Sequence, residues 1–159
     1  MNITKGDITP EYGGDIGIGF SSIFWNTSWT NDQKPHTLGI LCNPEHPALA
    51  HFPTEYHSNW QWWDAVSHSN VIIFNEIPEL NPIVRVIDDW FKNRKTALLL
   101  EAKVGKGKLL FSGIDLHTNL KERLEAQQLL YSLENYMVSD AFNPKVNITN
   151  NQLKRILKN

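Results

Sequence analysis

The sequence lacks most of the features by which composition alone identifies a function. It has a single cysteine, Cys42, which excludes a disulfide within the chain. Its 15 Lys and Arg nearly balance its 17 Asp and Glu, and the net charge of −2 comes without a basic block. Because non-specific nucleic-acid binding depends on a concentrated positive face, no nucleic-acid partner is expected. No apolar run reaches the roughly 18 residues of a membrane span, so no membrane partner is expected.

What is present indicates one globular domain. The 159 residues are 41% hydrophobic and 20% charged, which is typical of a packed chain rather than a disordered one. We predict a single α/β domain at residues 1–138, followed by a polar C-terminal tail or linker at 139–159. Six tryptophans are the one compositional oddity, and five of them lie between Trp25 and Trp63.

Short apolar runs supply the predicted strands. Thr37–Cys42 and Val71–Phe74 are compact enough to be buried on both faces, which is typical of parallel sheets. Ile16–Phe20 is predicted to be a short strand. Ile83–Phe91 is ambiguous, because its apolar residues fit helical spacing while its first half is β-branched. These runs favour a buried sheet.

The remaining elements complete the fold prediction. Ala97–Val104 and Lys108–Ile114 flank Gly105-Lys106-Gly107, which predicts a hairpin. Ser58–Ser67 and Glu122–Met137 have helical spacing. Strands separated by helical segments predict a three-layer α/β fold with a mostly parallel sheet and an antiparallel edge hairpin. This order resembles the class I glutamine amidotransferase-like and flavodoxin-like folds.

Cys42 and His46 are the candidates for catalysis. Cys42 ends a predicted strand, at the side where doubly wound sheets bind ligands, and His46 follows four residues later. The alternative function is therefore a Cys/His hydrolase or an amidotransferase-like enzyme that uses Cys42. However, no glycine flanks Cys42, and Pro44 removes a backbone N–H that an oxyanion hole needs. Since buried cysteines usually act as small apolar side chains, we favour a structural Cys42.

Neither a metal site nor a carboxylate dyad is predicted. The spacings of the histidine-rich stretch match no zinc motif, so no metal or cofactor is expected; the histidines are His46, His51, His57 and His68. Asp88 and Asp89 are adjacent and point in different directions on any regular element. Glu101 and Asp115 lie on different arms of the predicted hairpin, and neither pair resembles the carboxylates of a glycosidase.

A block of aromatic and polar residues is the candidate carbohydrate or interface site. Flat aromatic rings beside carboxylate, amide or imidazole groups suit the apolar faces and hydroxyls of a sugar. The block consists of Tyr56, His57, Asn59, Trp60, Trp62, Trp63 and Asp64. On a helix Trp60 and Trp63 share one side while Trp62 points elsewhere. We expect Trp63 to be buried and at least one of Trp60 and Trp62 to be partly exposed, and packing in the core or at an interface is favoured over sugar binding.

Three stretches resemble a known family. Pro35–Ala65, Ile83–Leu116 and Glu125–Met137 are similar to the C-terminal region of large glycoside hydrolase family 2 proteins, with HPAL and FPTEYHSNWQWW as the most specific part. Those proteins are β-galactosidase-like and carry sugar-binding domains. The resemblance covers about Gly13 to Phe142.

The resemblance implies an accessory role rather than catalysis. Family 2 catalysis is expected on a (β/α)₈ barrel with two catalytic glutamates, and a barrel of about 250 residues does not fit this chain. No catalytic residue of the family therefore transfers to a position here. The implied function is a non-catalytic C-terminal domain that packs on, or supports, the catalytic and sugar-binding domains of a parent glycosidase. Those domains and a saccharide are the implied partners.

The compartment stays open at this point. A secreted or periplasmic parent fits the resemblance, whereas Met1–Pro10 lacks the apolar core of a signal peptide. The chain is expected to be either an excised domain or a short reading frame.

Overall fold

The structure is a computed structural model that describes residues 8–19, 36–89 and 91–157. The six strands are β1 Gly39–Cys42, β2 Ile72–Ile73, β3 Val84–Ile87, β4 Thr96–Val104, β5 Gly107–Ser112 and β6 Asn147–Ile148. The helices are α1 Trp63–Ser67, α2 Leu124–Val138 and α3 Asn150–Ile156. Short 3₁₀ turns occur at Pro10–Tyr12, Pro47–Leu49, Trp60–Trp62 and Leu120–Glu122.

Strand β4 is the centre of one sheet. Its register places β2 and β5 along one edge and β3 and β6 along the other. Strand β1 pairs with β3. The pairings of β1 with β3, and of β4 with β2, β3 and β5, are all antiparallel. Only the two-residue pairing of β6 with β4 is parallel among the described residues.

The predicted three-layer, mostly parallel, amidotransferase-like or flavodoxin-like fold is therefore wrong. A parallel connection needs a crossover of a dozen or more residues, usually a helix. Between β1 and β2 the chain forms only 3₁₀ turns and the five-residue α1. Within the ambiguous segment, Val84–Ile87 form β3, which lies between β1 and β4 and runs antiparallel to both.

The predicted strand Ile16–Phe20 is not formed at residues 16–19, the part of it that the structure describes. Residues 16–19 belong to no strand, and Phe20 lies outside the described residues. Trp90, like Trp25 and Trp29, is also outside the described residues.

The predicted hairpin is confirmed. Val104 pairs with Gly107, so the turn consists of Gly105 and Lys106. Gly105 has a φ of 58°, a left-handed conformation that costs glycine little. Two-residue hairpin turns need such a conformation at their first position because their twist must match that of the strands.

The predicted helix at Glu122–Met137 is confirmed as α2. It buries Ala126, Leu129, Leu133 and Tyr136 in the core on one face of the sheet. Among the described residues, no helix is long and apolar enough to cross a bilayer.

The opposite face of the sheet carries a second apolar cluster. There α3 and residues such as Ile8, Phe74 and Leu80 pack against β4 and β5. The stretch after Ser139, predicted to be a polar tail or linker, supplies β6 and α3 to this side. Ile148 and Ile156 are buried, and a capping box of Thr149 and Gln152 begins α3.

Candidate functional site

Two of the three clustered tryptophans lie on the surface. Trp60 is 84% exposed and Trp63 is 54% exposed. Their ring centroids are 5.9 Å apart and the ring planes are tilted by 49°. The prediction that Trp60 and Trp63 share one side is confirmed, whereas the expectation that Trp63 is buried is wrong. We call this pair the tryptophan shelf.

Trp62 anchors the shelf segment to the core. It is fully buried, and its ring meets the ring of Phe52 edge-on at a centroid distance of 4.9 Å. Its indole Nε1 donates a hydrogen bond of 2.7 Å to Thr54 Oγ1, which satisfies its polar group in the core. The 3₁₀ turn Trp60–Trp62, which carries Trp60, is thereby fixed to the domain.

An ion pair between buried Arg123 and partly exposed Asp64 holds the residue that follows Trp63. Arg123 Nε donates to both carboxylate oxygens of Asp64, at 3.0 and 2.9 Å. Arg123 Nη1 donates to the carbonyl oxygens of Asp115 and Thr118. Because Arg123 precedes α2 and is buried, it ties α1 to the start of α2. Sequence reasoning missed Arg123, since nothing in its neighbourhood distinguishes it from an exposed helical arginine.

The other candidate residues lie either next to the tryptophan shelf in sequence or beside the sheet. His68 Nδ1 lies 2.9 Å from the carbonyl oxygen of Asp64 and 3.3 Å from its Oδ1. Asn59 directly precedes the 3₁₀ turn Trp60–Trp62. Tyr56 and His57, in contrast, extend the sheet beyond β1: Tyr56 O accepts a bond from Cys42 N, and His57 forms a bridge with Leu41.

Cys42 and His46 line one cleft, yet both are engaged in the fold. Cys42 is buried and its thiol donates to the carbonyl oxygen of Glu55 at 3.2 Å. Burial raises the pKa of the Cys42 thiol. His46 Nδ1 accepts a bond from Ala48 N and so caps a 3₁₀ turn, and burial lowers the pKa of the His46 imidazole. A nucleophilic cysteine needs a low pKa and a base, which this geometry does not supply.

We therefore expect Cys42 to react slowly with iodoacetamide near neutral pH while the protein is folded. A raised pKa leaves less thiolate, and burial restricts access to it. Mass spectrometry of native protein and of protein unfolded in guanidinium chloride measures the difference. Alkylation of native Cys42 as fast as that of the unfolded chain would contradict this prediction and revive the Cys/His alternative.

Glu101 on β4 and Asp115, three residues after β5, also have structural partners. Glu101 Oε2 accepts a bond of 2.5 Å from the hydroxyl of Tyr136, and burial with this contact raises the pKa of Tyr136. Asp115 Oδ1 accepts bonds from the backbone N–H groups of His117 and Thr118. Among the described residues, no three or more His, Cys, Asp or Glu side chains are grouped so as to hold a metal ion.

Together, fold and site define a domain on a mainly antiparallel sheet that displays a pair of tryptophans. A family model described as a domain of unknown function, DUF8487, matches residues 2–158, and the chain belongs to this family. No curated protein matches the chain. The resemblance to glycoside hydrolase family 2 stays a prediction.

Proposed function

We propose that the domain is a non-catalytic accessory module in carbohydrate degradation, acting beside the catalytic and sugar-binding domains of a β-galactosidase-like protein. The observation that carries the proposal is the exposure of Trp60 next to Trp63. A large exposed apolar surface of this kind is typical of a contact site rather than of an inert surface.

The shelf is suited to binding because its support is rigid. Trp62 holds the 3₁₀ turn against the core, and the Arg123–Asp64 pair holds α1, the helix that follows. A site that is ordered before binding loses less conformational entropy when the ligand arrives. Two indole rings in this state offer flat apolar platforms to the C–H faces of a saccharide.

Two polar side chains next to the tryptophans in sequence keep hydrogen-bonding capacity for sugar hydroxyls beyond the bonds that they make within the fold. Asp64 directly follows Trp63, and its side chain keeps 22% of its surface exposed. Gln61 lies between Trp60 and Trp62, and its amide donates to the carbonyl oxygen of Pro53. A carboxylate and an amide beside two aromatic rings favour a saccharide as the ligand of the shelf.

A partner domain is the second candidate for the shelf, and one observation favours it. Leu124, which begins α2, is 71% exposed, and it follows Arg123, the partner of Asp64. An apolar surface that includes the start of α2 as well as the shelf is better matched by a protein partner than by a single sugar ring. This contact would also make the domain an accessory module.

Replacing Trp60 with alanine tests the saccharide contact. We expect galactose or a β-galactoside oligosaccharide to change tryptophan fluorescence at millimolar concentrations, and Trp60→Ala to weaken binding about tenfold, the effect of about 1.4 kcal/mol of lost stacking. The melting temperature should hardly change, since the side chain is 84% exposed.

Phe91→Ala is the matched control, because Phe91 is another exposed aromatic residue, on the loop before β4. It should leave sugar affinity unchanged. If the unmodified protein gives no response to any of these sugars, the saccharide contact is wrong. If Trp60→Ala then no longer binds the neighbouring domains of the parent protein, the shelf is assigned to a protein contact.

A further inference from the structure

A second surface lies on the opposite side of the sheet from α2, at β1 and β3. Leu41 and Arg85 are paired directly across these strands, and both are exposed. Their neighbours Ile40 and Val84 point to the other face and are buried in the core beneath α2. The second core cluster covers β4 and β5 but includes no residue of β1 or β3.

Two clefts meet on this surface. One has a volume of about 390 Å³ and the other about 360 Å³, and both are lined by Leu41 and Arg85. Volumes of this order suit a small molecule. The amides and the one ammonium group that line the clefts are those of Asn43, Asn81, Asn93 and Lys95.

Asp88, the carboxylate among the residues that line these clefts, already has an ion-pair partner. Asp88 accepts two bonds from the guanidinium of Arg94, at 2.7 and 2.8 Å, and a third from the backbone N–H of Arg94. Burial alone would raise the pKa of Asp88, but these bonds keep the pKa below its ordinary value. Asp88 is therefore paired with Arg94 rather than with Arg85, and Arg94 Nη2 also lies 3.9 Å from Asp89 Oδ2.

Arg85 has no ion pair and no hydrogen bond with another side chain in the part of the chain that the structure describes. Lys95 Nζ makes one long contact, 3.4 Å from the carbonyl oxygen of Pro78, and so retains donors. Asn43 uses its amide oxygen to accept from Glu45 N, which leaves its NH₂ group as a donor. The clefts thus present positive charge and N–H donors.

We infer that the surface around Arg85 binds a small organic anion, whose carboxylate or phosphate is held by the Arg85 guanidinium. The planar guanidinium donates two parallel hydrogen bonds to such a group, which makes the contact strong and directional. Leu41, 45% exposed, supplies an apolar wall for the carbon skeleton. This site is separate from the tryptophan shelf and does not depend on the saccharide proposal.

Isothermal titration of the full chain with three probes tests the inference. Inorganic phosphate and D-glucuronate carry the two anionic groups, and D-glucose is the neutral control. We expect at least one anion to bind with a millimolar or tighter dissociation constant. The affinity for D-glucose should be the same in the unmodified protein and in Arg85→Gln. Arg85→Gln should weaken anion binding about tenfold or more, since it removes a charge-assisted, two-bond contact. Which anion binds identifies the group that the site prefers.

Lys106→Gln is the matched control, because it removes one positive charge from the exposed hairpin turn. It should leave anion affinity unchanged. The inference is overturned if neither anion binds, or if Lys106→Gln weakens binding as much as Arg85→Gln. Arg85→Lys, which keeps the charge but loses the planar fork, should recover only part of the affinity.

Discussion

Replacing Trp62 with alanine should lower the free energy of unfolding by roughly 3–5 kcal/mol, the usual cost of deleting a large buried aromatic side chain. Trp62 is fully buried against Phe52, and its indole N–H satisfies the hydroxyl of Thr54. The substitution leaves a cavity and removes that bond. Urea denaturation followed by circular dichroism measures the loss.

Trp60→Ala is the control, since it removes the same kind of side chain from an exposed position two residues before Trp62. Its effect should stay within about 0.5 kcal/mol, as for most surface substitutions. Equal losses in the two variants would show that Trp60 also supports the core. A loss under about 1 kcal/mol for Trp62→Ala would contradict the burial of its ring.

The local elements of the fold were predictable because their signals lie within a few residues. Gly105 and Gly107 between two apolar runs are sufficient to predict the β4–β5 hairpin. The spacing of Leu129, Leu133 and Tyr136 likewise predicts α2 and its buried side. These features depend on turn geometry and on helical period, and both can be inferred from the order of a few neighbouring residues.

The direction of the strands was not predictable from the same kind of pattern. A short, wholly apolar run such as Ile72–Ile73 is buried on both faces in a parallel or an antiparallel sheet. The deciding element was β3, whose residues fit two periods equally well. Its pairing with β1 and β4 sets the antiparallel order, and this pairing is a long-range contact. The tertiary contact overrode the local pattern.

For the tryptophans, the spacing predicted which rings are neighbours but not which ring is buried. A signal was present in the residues that follow. Trp62, Ala65 and Val66 stand at positions i, i+3 and i+4 and form the buried side of the segment. Trp63 shares its side with Ser67, which is exposed. The apolar set around Trp62 therefore indicates the core side better than the tryptophans considered alone.

Breaking the ion pair of buried Arg123 and partly exposed Asp64 should lower the free energy of unfolding about as much as Trp62→Ala does. Asp64→Ala leaves the guanidinium of Arg123 buried without its carboxylate, and Arg123 Nη2 already has no hydrogen-bond partner among the described residues. Removing one partner of a buried pair typically costs about 3–5 kcal/mol, because the other charge stays desolvated. The free energy of unfolding from urea denaturation measures this loss.

A double-mutant cycle with Arg123→Met separates the ion pair from the other contacts of the arginine. Replacing both residues removes the stranded charge, so the double variant should be more stable than the sum of the single losses predicts. Recovery should be partial, since Arg123 Nη1 also donates to the carbonyl oxygens of Asp115 and Thr118, which would lose their donor. The exposed pair of Arg155 and Glu76 serves as control, and its removal should leave the urea midpoint unchanged. Losses that simply add would mean that Asp64 and Arg123 act independently, and α1 would then be held to α2 by apolar packing alone.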